Sequence, residues 1–190
     1  LFSASELNPI STQKIGQLFM IKYNPNESPE KIAQFINKHH IGGVVLLGSP
    51  FPKLPILKNR ISLLRSLVND PDFLISIDQE GGTVARIRHS STPPSAMIIA
   101  NTESFTISRA WARYTARDLR ECGINMNLAP VLDVNTESRN PVINTRSFSE
   151  STETVSNFGM DYIRTLSKAS IISTAKHFPG HGGSIKDSHF

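Results

Sequence analysis

The 190-residue sequence predicts an α/β protein with a parallel sheet, and three observations support this fold class. Short apolar segments of strand length recur along the chain. Between them lie longer segments whose apolar residues repeat at helical spacing, so that strand and helix alternate five times. Polar, titratable residues directly follow several of the predicted strands, where α/β enzymes carry their reactive groups.

The predicted strands are short and mostly apolar. The second one, at residues 41–47, is apolar throughout, as expected for a strand that is covered on both faces. We also expect the fifth strand to be buried. The five predicted strands lie at residues 15–21, 41–47, 73–77, 124–130 and 171–175.

Helix start and stop signals separate these strands. Ser28 and Ser104 are typical N-cap residues, and Gly123 is typical of the residue that follows a helix. The predicted helices lie within residues 28–39, 53–69, 104–123 and 155–166. A loop or short helical turn is predicted at residues 89–101, and a long polar loop at residues 134–149.

Two architectures share this alternation, a doubly wound open sheet and a (β/α)₈ barrel. Asp78, Asp133 and the pair Lys176–His177 follow three different predicted strands, which is typical of a barrel. A doubly wound nucleotide site would concentrate glycines after the first strand, and the sequence has no such run there. A full barrel needs about 250 residues and eight units. We therefore expect residues 1–190 to form the N-terminal part of one incomplete (β/α)₈ TIM-barrel domain, with about five of eight units.

The composition argues against several classes of protein. The net charge of +4 is mild and the basic residues are dispersed, so we expect no nucleic-acid partner. The longest apolar run, residues 44–47, is far too short to cross a membrane. The single cysteine, Cys122, excludes an internal disulfide and fits a reducing, cytoplasmic compartment. The N-terminus lacks a signal-peptide pattern, and nothing in the sequence calls for a cofactor.

Four motifs occur in order at predicted strand ends and loops. They are DQEGG at residues 78–82, LAPVLDV at 128–134, RSF at 146–148, and KHFPGHG at 176–182 followed by DSH at 187–189. Together these motifs resemble glycoside hydrolase family 3, and within it the NagZ-type β-N-acetylglucosaminidases. The resemblance covers nearly the whole sequence.

This resemblance implies a retaining β-glycosidase that removes terminal, non-reducing β-linked N-acetylglucosamine from muropeptides or chitooligosaccharides, commonly in peptidoglycan recycling. By position, His189 would be the acid/base catalyst and Asp187 its partner on the same loop. The family's nucleophile is an aspartate after a later strand, in a Ser-Asp-Asp-like motif, and we expect it to be missing from this sequence. The resemblance assigns the contacts with sugar hydroxyls to Asp78, Arg86, Arg146, Lys176 and His177.

A histidine suits the acid/base role because it must be protonated in the first step of a retaining mechanism and neutral in the second. The ordinary pKa of histidine, about 6.5, lies close to working pH. An aspartate two residues away has the reach to hydrogen-bond one ring nitrogen. The sequence departs from the family pattern at two places: Asn144-Thr145 replace a frequent glycine and acidic residue, and Thr83 replaces a frequent arginine.

Two other functions remain open at this stage. One is a non-hydrolytic remnant or sugar-binding fragment, and the other is a metal-dependent hydrolase. The candidate metal ligands would be His177, His181, Asp187 and His189. We interpret Asp133 as an anchor that bonds backbone groups or Arg146, and Glu80 as the partner of an arginine.

Overall fold

The computed structural model describes residues 12–48, 51–88 and 92–187. The chain divides into two compact units, Leu1–Ile75 and Ser76–Phe190. Among the helices in the described ranges, none combines the length and the apolar character that crossing a bilayer requires. His89 and His189 lie outside these ranges.

The first unit contains parallel strands joined by a helical crossover. Its elements are α1 (Thr12–Gly16), β1 (Met20–Tyr23), α2 (Pro29–His39), β2 (Gly43–Leu46), α3 (Leu54–Leu67) and the start of β3 (Leu74–Ile77). Strands β1 and β2 pair in parallel, with Met20 opposite Gly43. Helix α2 connects them, because parallel neighbours cannot be joined by a tight turn.

Helix α2 begins where the sequence predicts. Ser28 Oγ accepts a hydrogen bond from the backbone N–H of Lys31 at 3.3 Å, and a proline follows the cap. The helix ends at His39, and the residue that follows, His40, caps it with a φ of 54° in the left-handed region. Helices α2 and α3 bury one apolar face each, through Ala33, Ile36, Leu57, Ile61 and Leu64.

The first predicted strand, at residues 15–21, is wrongly placed. Helix α1 runs to Gly16, and the strand begins only at Met20. Leu18, in the turn between them, is 82% exposed, so this apolar segment is not a core strand. Gly16 lies so close to the backbone of His39 that an added Cβ would collide with it. The contact with the end of α2 therefore decides the local structure here.

The second unit shows the predicted alternation of parallel strands and helices. Its elements are the end of β3, β4 (Gln79–Gly81), β5 (Val84–Ala85), α4 (Ala96–Ala100), α5 (Phe105–Glu121), β6 (Met126–Asn127), a 3-10 helix (Asn144–Arg146), α6 (Thr152–Lys168) and β7 (Ile172–Ser173). Strand β6 pairs in parallel with β3 and with β7, while β4 and β5 form an antiparallel hairpin.

The ends of α5 follow the predicted signals. Ser104 Oγ accepts a hydrogen bond from Ile107 N at 3.4 Å. Helix α6 begins earlier than predicted, and its cap was not predicted: Ser151 Oγ accepts a hydrogen bond from Thr154 N, also at 3.4 Å. Gly123 adopts a φ of 75° just after α5. The α/β prediction with parallel strands is confirmed.

The fourth and fifth strands are shorter than predicted. Pro130 has no N–H to donate to a ladder, and beyond β6 the pairing is reduced to a parallel bridge between Val131 and Lys176. The fifth strand is not buried as expected, since Ile172 is 48% exposed. Among the described residues, β7 pairs with β6 alone and forms one edge of its sheet.

Candidate active site

Lys176 is the centre of a cluster of charged side chains in the second unit. Its Nζ lies 2.7 Å from Asp78 Oδ1 and 2.6 Å from Glu80 Oε1. Asp78 directly follows β3, Glu80 lies in β4, and Lys176 comes three residues after β7. The sequence placed Asp78 and Lys176 at strand ends, and the parallel strands bring these ends together as predicted.

Arg146 makes a two-pronged contact with the same glutamate. Its Nε lies 2.8 Å from Glu80 Oε2, and its Nη2 lies 2.9 Å from Glu80 Oε1. Burial would lower the pKa of Arg146, but the hydrogen bonds and charge of Glu80 outweigh burial, and the pKa is raised. The predicted pairing of Glu80 with an arginine is confirmed. Glu80 is nearly buried and compensates two cations at once.

Asp133 holds the segment that carries His177. Its Oδ2 lies 2.5 Å from His177 Nδ1 and accepts the His177 backbone N–H at 3.2 Å. Its Oδ1 accepts the backbone N–H of His181 at 2.5 Å. Of the two partners that the sequence left open for Asp133, the structure shows the backbone groups, and it adds the imidazole ring. Arg146 instead approaches the other ring nitrogen, with Nη2 3.4 Å from His177 Nε2.

A buried amide layer lies behind the charged cluster, and the sequence analysis missed it. Asn127 Oδ1 accepts the backbone N–H of Gln79 at 3.0 Å, and Asn127 Nδ2 donates to the Gln79 carbonyl at 2.9 Å. The same Nδ2 donates to Tyr162 Oη at 3.1 Å, and burial raises the pKa of that hydroxyl. Asn127 could have been predicted as a buried hydrogen-bonding residue, because it is a polar residue inside an otherwise mostly apolar predicted strand.

Arg86 is held beside this layer but is not joined to the charged cluster. Its backbone N–H donates to Gln79 Oε1 at 2.8 Å, which fixes the segment after β5. Its Nε is buried and has no hydrogen-bond partner among the described residues. The structure therefore positions the Arg86 backbone, and its predicted sugar contact stays a prediction.

A pocket of about 500 Å³ opens beside Lys176 and His177. Its walls are formed by the segment around Asp133 and by the glycine-bearing loop that follows His177. Gly182 lies so close to the backbone of Val134 that an added Cβ would collide. This glycine therefore lets the loop pack tightly against the far wall.

The predicted acid/base pair lies further along this loop. Asp187 is the last described residue and is half-buried, while His189 lies outside the described residues. Their assigned roles stay predictions. No group of three His, Cys, Asp or Glu side chains that could hold a metal ion occurs within residues 12–48, 51–88 and 92–187.

Comparisons with known proteins identify the family of this chain. Residues 11–190 match the model of the family described as "Glycosyl hydrolase family 3 N terminal domain". The chain therefore belongs to glycosyl hydrolase family 3. The N-terminal domain of this family has a TIM-barrel-like α/β fold, which confirms the predicted fold class.

The chain is similar to proteins described as β-hexosaminidases and β-N-acetylglucosaminidases. The chain is 32% identical to a β-hexosaminidase A of Pseudoalteromonas piscicida, over 98% of this chain and 36% of that protein. It superposes with a TM-score of 0.86 and 34% identity on a family 3 β-N-acetylglucosaminidase from Paenibacillus sp. str. FPU-7, covering 94% of this chain and 35% of that one. A NagZ from Neisseria gonorrhoeae in complex with N-trifluoroacetyl-D-glucosamine matches with a TM-score of 0.80 and 29% identity, covering 90% of this chain and 52% of that one. The chain thus spans between about a third and a half of the length of these proteins.

Proposed function

We propose that this chain carries the sugar-binding part of a retaining β-N-acetylglucosaminidase, together with its acid/base loop. The observation that carries the proposal is the cluster formed by Asp78, Lys176, Arg146 and His177, two of which, Lys176 and His177, line an open pocket. The relatives named above, described as β-hexosaminidase and β-N-acetylglucosaminidase, support the same substrate class. The substrate would be a terminal β-linked N-acetylglucosamine.

The cluster has the hydrogen-bonding groups that adjacent sugar hydroxyls require. Lys176 and Arg146 supply donors, and the carboxylate of Asp78 supplies an acceptor. Each hydroxyl both donates and accepts, so it can bridge an acidic and a basic side chain. Lys176 and Arg146 are only 15% and 16% exposed, which strengthens their hydrogen bonds relative to those at a wet surface. Arg86 completes the proposed set of contacts.

The chemistry of bond cleavage is the finer part of the proposal. His189 would donate and then accept the proton at the leaving oxygen, with Asp187 as its partner. Asp78 and Glu80 are bonded to Lys176, and Asp133 is fully buried, so we assign none of them as the nucleophile. We propose that the nucleophile comes from outside residues 1–190. A role in peptidoglycan recycling and a cytoplasmic location stay predictions.

Binding of free N-acetylglucosamine, measured by NMR titration, tests the sugar site. Lys176→Met should abolish saturable binding, because it removes the donor at the centre of the cluster. Lys168→Met is the matched control, since Lys168 is exposed at the end of α6 and should leave binding unchanged. Equal binding by both variants would contradict the proposed site.

Turnover separates the catalytic alternatives. The 190-residue chain should not hydrolyse a methylumbelliferyl N-acetyl-β-glucosaminide at an appreciable rate, because a missing nucleophile costs several orders of magnitude. Rapid turnover would refute our placement of the nucleophile outside this sequence. If that turnover disappeared on treatment with EDTA, the metal-dependent alternative would be favoured.

A further inference from the structure

The geometry points to Asp133 as a positioning residue that fixes His177 as a hydrogen-bond acceptor toward the pocket. The Asp133 side chain is 0% exposed, whereas that of His177 is 36% exposed. Asp133 forms part of the pocket wall, but its side chain is closed off from solvent. It acts through the ring and the backbone of the histidine.

The two neighbours of the imidazole ring agree on one tautomer. Asp133 Oδ2, 2.5 Å from Nδ1, is a carboxylate oxygen, so the proton lies on Nδ1. A guanidinium has donors only, so Arg146 Nη2, 3.4 Å from Nε2, requires a lone pair on that nitrogen. Both contacts place the ring proton on Nδ1 and leave Nε2 as an acceptor.

Asp133 also holds the backbone that presents this ring. Its Oδ2 accepts the His177 N–H and its Oδ1 accepts the His181 N–H, so one carboxylate closes the segment between them into a turn. The backbone carbonyl of Asp133 also accepts a hydrogen bond, from Ser147 Oγ. The carboxylate is thus bonded on both oxygens and cannot swing away from the ring.

This assignment has a consequence for ligand choice, which rests on the proposed sugar site. A ring nitrogen has one lone pair, so a ligand hydroxyl can donate to His177 Nε2 by replacing the long, 3.4 Å contact from Arg146, whereas a carboxylate or carbonyl oxygen has no proton to donate. A pocket built to pair with a hydroxyl discriminates strongly against a group that cannot complete the bond. His177 would therefore favour a hydroxyl at this position of the sugar.

The tautomer is measurable without any ligand, by long-range ¹H–¹⁵N NMR of the ¹⁵N-histidine-labelled chain with His177 assigned by substitution. The wild-type ring should show its proton on Nδ1, and a proton on Nε2 would overturn the inference. Asp133→Asn should shift His177 toward a mixture of tautomers, because the amide nitrogen cannot accept. Asp161→Asn is the matched control, since Asp161 lies in the same unit and pairs with Arg109.

Titration with N-acetylglucosamine supplies the second readout. Asp133→Asn should weaken binding by about tenfold, while Asp161→Asn should not, because only Asp133 sets the acceptor. Unchanged binding by Asp133→Asn would overturn the positioning role. If the wild-type chain bound no sugar, the proposed function would fail, and the wild-type tautomer would still decide this inference.

Discussion

The interiors of the two units differ in kind. In the described part of the first unit, the buried residues are hydrophobic ones, glycine or proline, with Ile36, Ile61 and Leu64 at the centre. Among all described residues, the buried polar side chains begin at Ser76, the first residue of the second unit. They include Gln79, Asn127 and Asp133, which support the candidate site.

The buried polar side chains that support the candidate site are tolerated because each of them is hydrogen-bonded. Burying a polar side chain is unfavourable unless it is hydrogen-bonded, and burying a charge is worse unless it is paired. Gln79, Asn127 and Asp133 all satisfy this condition through partners on other elements. The same alternation of strand and helix thus supports one unit with an apolar interior and one with a built-in polar site.

The largest expected effect comes from removing the carboxylate that compensates two cations. Glu80→Ala should lower the free energy of unfolding by about 3–5 kcal/mol, because Arg146 would lose its carboxylate partner and Lys176 would keep only Asp78, while both cations stay largely buried. Urea denaturation of this variant measures the loss, with the exposed Glu150→Ala as control. A loss no larger than that of the control would show that the ion cluster is not structural.

A core truncation in the first unit provides the counterpart. Leu64→Ala should cost about 3 kcal/mol of unfolding free energy, because Leu64 is completely buried and the cavity is not refilled. Denaturation gives the stability, and N-acetylglucosamine titration of the folded variant gives the binding. Under folding conditions the binding should be unchanged. Weakened binding would show that the sugar site of the second unit depends on the apolar core of the first unit.

Variants of Asn127 and Tyr162 test whether the buried polar groups of the amide layer stabilise the fold cooperatively. Asn127→Ala should cost about 2 kcal/mol, because it leaves both backbone groups of Gln79 without their partner. Tyr162→Phe should cost only about 1 kcal/mol, because it leaves both hydrogen bonds between Asn127 and the Gln79 backbone in place. A double variant that loses less than the sum would show the coupling between them. Equal losses of unfolding free energy in the two single variants would contradict the expectation that Asn127 contributes more than the Tyr162 hydroxyl.

The smallest effects should be the same in both units. Ser28→Ala and Ser151→Ala each remove one N-cap hydrogen bond, at 3.3 and 3.4 Å, and each should cost about 1 kcal/mol. Helix capping is local chemistry, so it should not depend on which interior the helix covers. Thermal denaturation measures both losses. A difference above about 1 kcal/mol between the two variants would indicate that the contribution of a cap depends on the interior that its helix covers.

Local signals accounted for much of the fold because they act over a few residues. Serine caps predicted the starts of α2 and α5, and an apolar stripe alone predicted most of α6. Local composition predicted the first strand wrongly, because residues 15–19 have the composition of a strand but form the end of a helix and a turn. Their conformation depends on the approach of His39 to Gly16, a contact that no local pattern encodes.

The alternation of strands and helices, the caps at Ser28 and Ser104 and the order of the strand-end motifs could all be predicted from the sequence. The folded chain was needed to show that Glu80 bonds Arg146 across 66 residues, and that Lys176 bonds Asp78 across 98. It also assigned Asp133 to His177 and Asn127 to Gln79. The physical reason is that capping and periodicity are properties of neighbouring residues. The pairing of buried polar groups depends instead on which strand ends the folded sheet brings together.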